Sequence, residues 1–393
     1  MKGCLRLATM ALLVALVTAS SFLAGFATQR NLPPVVQGPS TRLEQFGVFW
    51  EAWRIIEREF YGEVPSPQEM TYGAIRGVVE TLDDPHTVFV DPVHAELLND
   101  DLSGSFEGIG AVVEMREGQL VIVSPLKDTP AERAGLRAGD VVTAIDGQST
   151  EGIGLFEAIS RIRGRKGTTV RLTIQRPGVE EPFTLEIVRA LIEIPTAEGR
   201  MLEGEIATLK LLSFNGRAAS AVRSALQRLL AQEPKGLILD LRDNPGGLLP
   251  VAVEVASQFI DEGVILTEVG RDGVERAHPT RGGGLATEIP LVVLVNRGTA
   301  SAAEIVAGAI QDHERGLLIG ERTFGKGSVQ ITHELDDGSN LRVTTARWLT
   351  PKGRQIHGEG LQPDIEVVLT DEDRMQDRDP QLERAVEVLR GGS

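Results

Sequence analysis

Five apolar runs in the second half of the chain constrain its fold more than any other feature. They are EIATLKLL (205–212), GLILDLR (236–242), VILTEV (264–269), LVVLVN (291–296) and GLLIGE (316–321). Each has the length and aliphatic content of a buried strand. Between them lie AASAVRSALQRLLAQ (218–232) and SAAEIVAGAIQD (301–312), whose apolar residues recur at helical spacing. Strands that alternate with helices predict an α/β domain.

Upstream, residues 105–188 change character. FEGIGAVVEM, QLVIVS, DVVTAIDG, TTVRLTIQR and PFTLEIV are short runs rich in β-branched residues, separated by Gly, Pro and Asp. Two helical pieces, near Ala131–Ala134 and Gly154–Ile162, interrupt a compact, mainly β module. Before it, FGVFWEAWRIIEREF (46–60) and YGAIRGVVETL (72–82) predict a small helical segment over 43–95. RDGVERAHPTRGGGLAT (271–287) reads as a mobile loop, and the charged stretch after Thr370 as a peripheral helix.

The first 30 residues are of another kind. Lys2 and Arg6 precede Leu7–Ala27, which holds no charge. As a helix rising about 1.5 Å per residue it would span roughly 31 Å, the thickness of a bilayer core. It is either a signal cleaved near Gly25 and Ala27 or a retained anchor. Both place the bulk of the chain outside the cytoplasm, in a periplasmic or similar extracytoplasmic space. NLPPVVQGPS (31–40) has the composition of a linker. Cys4 is the sole cysteine, so no internal disulfide, metal or thiol chemistry can be built on it. The net charge is −16, and the first 30 residues contribute only basic groups, which sets nucleic-acid partners aside.

Three stretches invite a chemical reading. In GERTFGKGSVQ (320–330), Lys326 follows a glycine-rich approach close to a phosphate-cradling loop. However, Gly327 stands where magnesium binding needs a hydroxyl, and the next residues look like a strand rather than a helix. Asp240, as the metal-binding strand end, would also precede the loop, which is the wrong order. The alternative is a lysine desolvated between glycines, pushed towards the neutral amine and able to take a proton. If 326–330 is extended, Lys326, Ser328 and Gln330 share a face, and Gln330 orients the amine by accepting a hydrogen bond. In PLVVLVNRGTASAAEI, Ser301 opens a helix after a strand, either as a cap or as a nucleophile beside first-turn N–H groups. In GLILDLRDNPGGLL, Gly247 is either a turn residue or a backbone N–H brought close to a ligand. None of the six histidines sits in a glycine-flanked or apolar strand-end setting suited to a base. Finally, the glycine loop of GSFEGIGAVVEM and the unit GLRAGDVVTAIDG suit a module that holds a peptide's terminal carboxylate while the peptide adds to a sheet edge.

Together these stretches, with LDDPHTVFVDP (82–92) and TPKGRQIHGEGLQPDIEV (350–367), resemble the carboxyl-terminal processing proteases, Ser/Lys peptidases of the tail-specific type (family S41) with an inserted PDZ domain. The match runs in order from about residue 43 to 390. It implies a crotonase-like α/β catalytic domain over 189–370, a β-rich PDZ domain over 96–188, the N-terminal helical segment and a charged C-terminal tail over 371–393. It further implies Ser301 as nucleophile, Lys326 as base and Gln330 beside it. Gly247 and Ala302 become oxyanion donors, and Gly108, Ile109 and Gly110 the peptide-carboxylate loop. No cofactor or metal is implied. Expected partners are protein substrates with free C-termini, the membrane if the N-terminal segment is uncleaved, and a second copy or an adaptor. A PDZ scaffold that kept the fold without activity is the rival reading. Thr299 and His86 depart from many relatives, which carry serine and an aromatic there.

Overall fold

Strand residues in the second half alternate between two buried faces, which explains why their runs are apolar throughout. The computed structural model describes residues 40–391 and divides into two units, Met1–Thr71 and Tyr72–Ser393. In the first unit, α1 (Ser40–Glu59) groups Phe46, Phe49, Trp50 and Trp53, with ring centroids 5.1 to 6.1 Å apart. Helix α2 (Pro67–Glu80) crosses the division at Thr71. Among the described residues, no helix is long and apolar enough to cross a membrane. The charge-free segment Leu7–Ala27 lies outside them.

The second unit opens with β1 (Val88–Val90), α3 (Pro92–Ser103) and β2 (Ser105–Gly108). There follow β3 (Ala111–Arg116), β4 (Gln119–Pro125), α4 (Pro130–Arg133), β5 (Val141–Ile145), β6 (Gln148–Ser149), α5 (Leu155–Ile162), β7 (Thr169–Gln175) and β8 (Phe183–Val188). These form an antiparallel sheet ordered β3-β4-β5-β7-β8, with β6 on β5, around its own core of Leu120, Ile122, Val142, Leu172 and Ile174. The chain leaves through β9 (Ala190–Glu193), which pairs with β2. Entry and exit strands thus lie side by side, as an insertion requires.

Next come β10 (Ala197–Leu202), β11 (Ile206–Leu211), α6 (Ala218–Leu230), β12 (Gly236–Asp240), α7 (Leu249–Ala256), β13 (Val264–Gly270), β14 (Glu275–Pro279), β15 (Leu291–Val295), α8 (Ala302–Asp312), β16 (Leu317–Gly320), β17 (Ser328–Glu334), β18 (Asn340–Leu349), β19 (Ile365–Glu366), α9 (Asp371–Met375) and α10 (Pro380–Leu389). A six-stranded sheet runs β10-β11-β12-β15-β16-β19, parallel from β11 onward. Leu237, Leu239, Val293 and Val295 face the core shared with α6, α7 and α8, whereas Ile238, Val292 and Leu294 face Ala385 and its neighbours on α10. The chain's end therefore covers the β12, β15 and β16 part of one face of the sheet and is not peripheral, because its apolar stripe of Leu382, Ala385, Val386 and Leu389 needs a surface.

VILTEV forms the expected strand, β13, which belongs to a second, antiparallel sheet. There β17 runs along one edge of β18, while β1 and β13 share the other. The stretch 271–287 is not wholly a loop as expected, since 275–279 is β14, paired with β13.

Candidate active site

The corner from β15 into α8 is tied by side chains before Ser301 is reached. Thr299, fully buried, donates its hydroxyl to Leu241 O at 2.8 Å and accepts from Asn296 N at 3.0 Å. A serine hydroxyl could make the same two bonds. Ser301 then adopts φ 55°, ψ −117°, a conformation that disfavours any residue with a Cβ. The corner makes Ser301 the N-cap and leaves Ala302 N–H as a helix-start donor.

Opposite lies the turn after β12. Asn244, fully buried, donates to Leu211 O at 2.7 Å and accepts from Gly246 N at 2.9 Å. Gly246 has φ 96°, and a Cβ on it would stand 2.7 Å from Ala300 O and 2.8 Å from both Ala302 N and the Ser301 Cβ. Gly247 has φ 147°, and a Cβ there would fall 2.4 Å from Phe214 O. Both glycines are thus required for the turn to lie against Ser301. Neither Gly247 N–H nor Ala302 N–H donates to an acceptor among the described residues.

The lysine loop is the third piece. Glu304, on the first turn of α8 and fully buried, accepts from Ser301 N at 2.8 Å, Thr323 Oγ1 at 2.5 Å, Gly325 N at 2.7 Å and Lys326 N at 2.9 Å. One carboxylate thus joins the serine corner to the lysine loop. Burial pushes its pKa up, and the four donors pull it back. Trp348 Nε1 and N–H donate to Lys326 O and Gly327 O from the other side, so the loop is held on both faces.

Ser301, Ala302, Gly247, Lys326, Ser328 and Gln330 all line one cleft of about 570 Å³. The Lys326 ammonium has no hydrogen-bond or ion-pair partner among the described residues. Burial first, and the Arg342 cation second, hold its pKa below the ordinary lysine range, with Asp84 opposing. Asp84 itself is held at about 2: burial works against this, but bonds from Thr344, Thr87 and His86 N–H prevail. Burial and the nearby Lys326 lower the His86 pKa. No hydrogen bond joins Ser301 Oγ to Lys326 Nζ in this arrangement.

Gln330 does not take the expected bond from Lys326. It lies on the expected face with Lys326 and Ser328, but its amide donates to Ser328 Oγ at 2.9 Å and Thr344 Oγ1 at 3.2 Å. His278, expected in a loop, sits on β14, bonds Glu268 and lines the cleft. In the inserted module, Ile109 and Gly110 follow β2, and their N–H groups have no acceptor among the described residues, while Gly110 O accepts from Leu126 N and Thr129 Oγ1. Gly108 ends β2 opposite Ala190. Sequence reasoning missed Glu304 and Asn244. The first had a readable signal, since Ser301-x-x-Glu304 has the spacing of a capping box.

Comparison with known proteins identifies the framework. The model of peptidase family S41 matches residues 205–367, which hold both Ser301 and Lys326. A carboxy-terminal processing protease of Bacillus subtilis, CtpA, is 38% identical over 375 residues, covering 94% of this chain and 79% of that one. The chain belongs to peptidase family S41, among the carboxy-terminal processing proteases. It is accordingly a serine-type peptidase. A carboxy-terminal-processing protease of Bartonella bacilliformis is 40% identical over 88% of this chain and 81% of its own length. The solved photosystem II D1 C-terminal processing protease is 33% identical, covers 82% of this chain and 92% of its own, and superposes with a TM-score of 0.50. A PDZ-domain model matches residues 121–176 within this S41 chain, and the N-terminal domain model of the activating protease CtpB matches 26–93.

Proposed function

We propose that this peptidase is an endopeptidase that cleaves exported proteins near their C-termini with a Ser301/Lys326 dyad. The observation that carries the reading is the meeting, in one cleft, of a strained serine, two unpaired N–H groups and a desolvated, partnerless amine. Neutral Lys326 takes the Ser301 proton as Oγ attacks the scissile carbonyl. Gly247 N–H and Ala302 N–H receive the oxyanion, and the charged lysine returns its proton to the leaving amine. Water then attacks the acyl-enzyme, passing a proton to Lys326, which hands it to Ser301 Oγ as the acyl bond breaks, restoring the hydroxyl and the neutral amine. Gln330, already held by its own bonds, fixes the wall beside the amine.

The PDZ module recruits the substrate's end. The unpaired N–H groups of Ile109 and Gly110, after Gly108, suit a terminal carboxylate. A route for gating is at hand in α3. Its Asp100 and Asp101 pair with Arg163 at the end of α5, and its His94 ring rests 4.5 Å from Phe156 of α5. The same helix lends Leu98, Asp101 and Leu102 to the cleft wall. Peptide binding that shifts α5 would therefore move that wall and bring Oγ and Nζ into contact. The charge-free N-terminal segment supports an extracytoplasmic location.

The test is cleavage of an unfolded protein with a free C-terminus, with products mapped by mass spectrometry. Ser301→Ala and Lys326→Ala should each abolish release of C-terminal fragments. Wild-type cleavage by Lys326→Ala would refute the dyad.

A further inference from the structure

Arg342 stands on β18 opposite Thr332 of β17 and Val88 of β1 and lines the cleft with Lys326. Its Nε is buried without a hydrogen-bond partner, and no other atom of its guanidinium bonds to any described residue. The other half-buried arginines of the chain differ. Arg242 pairs with Asp240 and Asp379, Arg176 with Asp140, and Arg315 donates to the carbonyls of Phe259, Ala286 and Ile289. A guanidinium left with unspent donors at the wall of a cleft costs stability unless something arrives to take them.

The cleft supplies nothing of its own. Its acidic groups are Glu268, bonded to His278, and Asp101, paired with Arg163. With Lys326 neutral and Asp84 taken up by Thr344, Thr87 and His86 N–H, Arg342 is left as a fixed, unpaired cation on the cleft wall. A planar fork of fixed charge matches a carboxylate better than it matches a neutral carbonyl. We infer that Arg342 receives a carboxylate of the bound peptide inside the proteolytic cleft, making it a specificity-determining residue distinct from the PDZ loop. This rests on the endopeptidase reading given above. The carboxylate belongs either to the peptide's own C-terminus or to an acidic side chain near the scissile bond.

The experiment compares kcat/KM for matched peptides in wild type, Arg342→Met and Arg342→Lys, each on its own pH plateau. One pair of peptides carries a free or an amidated C-terminus, and the other an aspartate or an asparagine near the cut. Wild type should favour the carboxylate member of one pair by about tenfold to a hundredfold. Arg342→Met should bring that ratio close to its value for PDZ recruitment alone, and Arg342→Lys should recover part of it. The pair that responds identifies the source of the carboxylate. Because the PDZ loop is untouched, its own preference cancels between variants. Unfolding midpoints show that each variant is folded. If both ratios are the same in Arg342→Met as in wild type, the inference is overturned while the endopeptidase reading stands. If wild type cleaves none of the peptides, both fall together.

Discussion

At the scale of single residues, the site stores strain and charge that the surrounding structure holds in place. Ser301 occupies φ 55°, ψ −117°, where a glycine would rest without penalty. Ser301→Gly should therefore raise the unfolding free energy by about 1 kcal/mol, net of the entropy glycine adds to the unfolded chain, while Ser301→Ala should not. Differential scanning calorimetry checks this. Glu304 presents acceptors only, to four donors. A glutamine in its place turns an NH₂ group towards two of those donors in either orientation. Glu304→Gln should cost about 2–4 kcal/mol in denaturant unfolding and lower kcat more than it raises KM. A variant as stable and active as wild type would mean that Glu304 does not join the two halves of the site.

At the scale of elements, the approach of the β12–α7 turn to the α8 N-terminus decides where the free N–H groups point. Gly246→Ala would set a methyl group within 2.8 Å of the Ala302 N–H and Ser301. Peptidase activity should drop by about two orders of magnitude, the cost of losing aligned oxyanion donors, with far-ultraviolet circular dichroism unchanged. Much at this scale was legible in the sequence. Continuous aliphatic runs announced β11, β12, β15 and β16 because both faces of their sheet are covered. Ser301 at a strand-to-helix corner and Lys326 between glycines were legible for the same reason: local chemistry fixes both. What escaped was set by distant partners. VILTEV has the composition of a parallel strand, yet β13 takes its place from pairing with β18. Gln330 lies on the face that alternation predicts, but its bond to Thr344 is set by β18, a partner strand that the local pattern does not name. Glycine-rich 271–287 concealed a strand because β14 is largely exposed and earns its order from β13.

At the scale of the whole molecule, the last helix closes the α/β core. Removing α9 and α10 would bare Ile206, Ile238, Val292, Leu294 and Ile319 and unpair Arg242 from Asp379. A chain ending at Thr370 should lose several kcal/mol of stability and expose surface that binds a hydrophobic dye. Unchanged thermal unfolding would show the helix to be dispensable. The inserted PDZ sheet has its own core and a two-stranded stalk, so mutations within that core should weaken cleavage of long substrates before they unfold the peptidase sheet.

The account stands on a neutral Lys326 that deprotonates Ser301. Burial and the Arg342 cation hold this amine below the ordinary lysine value, and a base acts only when unprotonated. Reactivity must then rise with pH through a titration below the usual lysine range near 10.4, and Arg342→Met must move that titration upward. The same lowering makes the fold least stable, as far as Lys326 contributes, below its folded pKa, with relief as pH climbs towards the unfolded value. The most direct measurement is the rate at which a serine-directed fluorophosphonate labels Ser301 as pH is varied, in wild type and in Lys326→Ala. The account predicts stoichiometric labelling at Ser301 along such a curve, and a loss of about a hundredfold or more, together with the titration itself, in Lys326→Ala. Labelling at an equal rate and with the same pH profile in both proteins would contradict it.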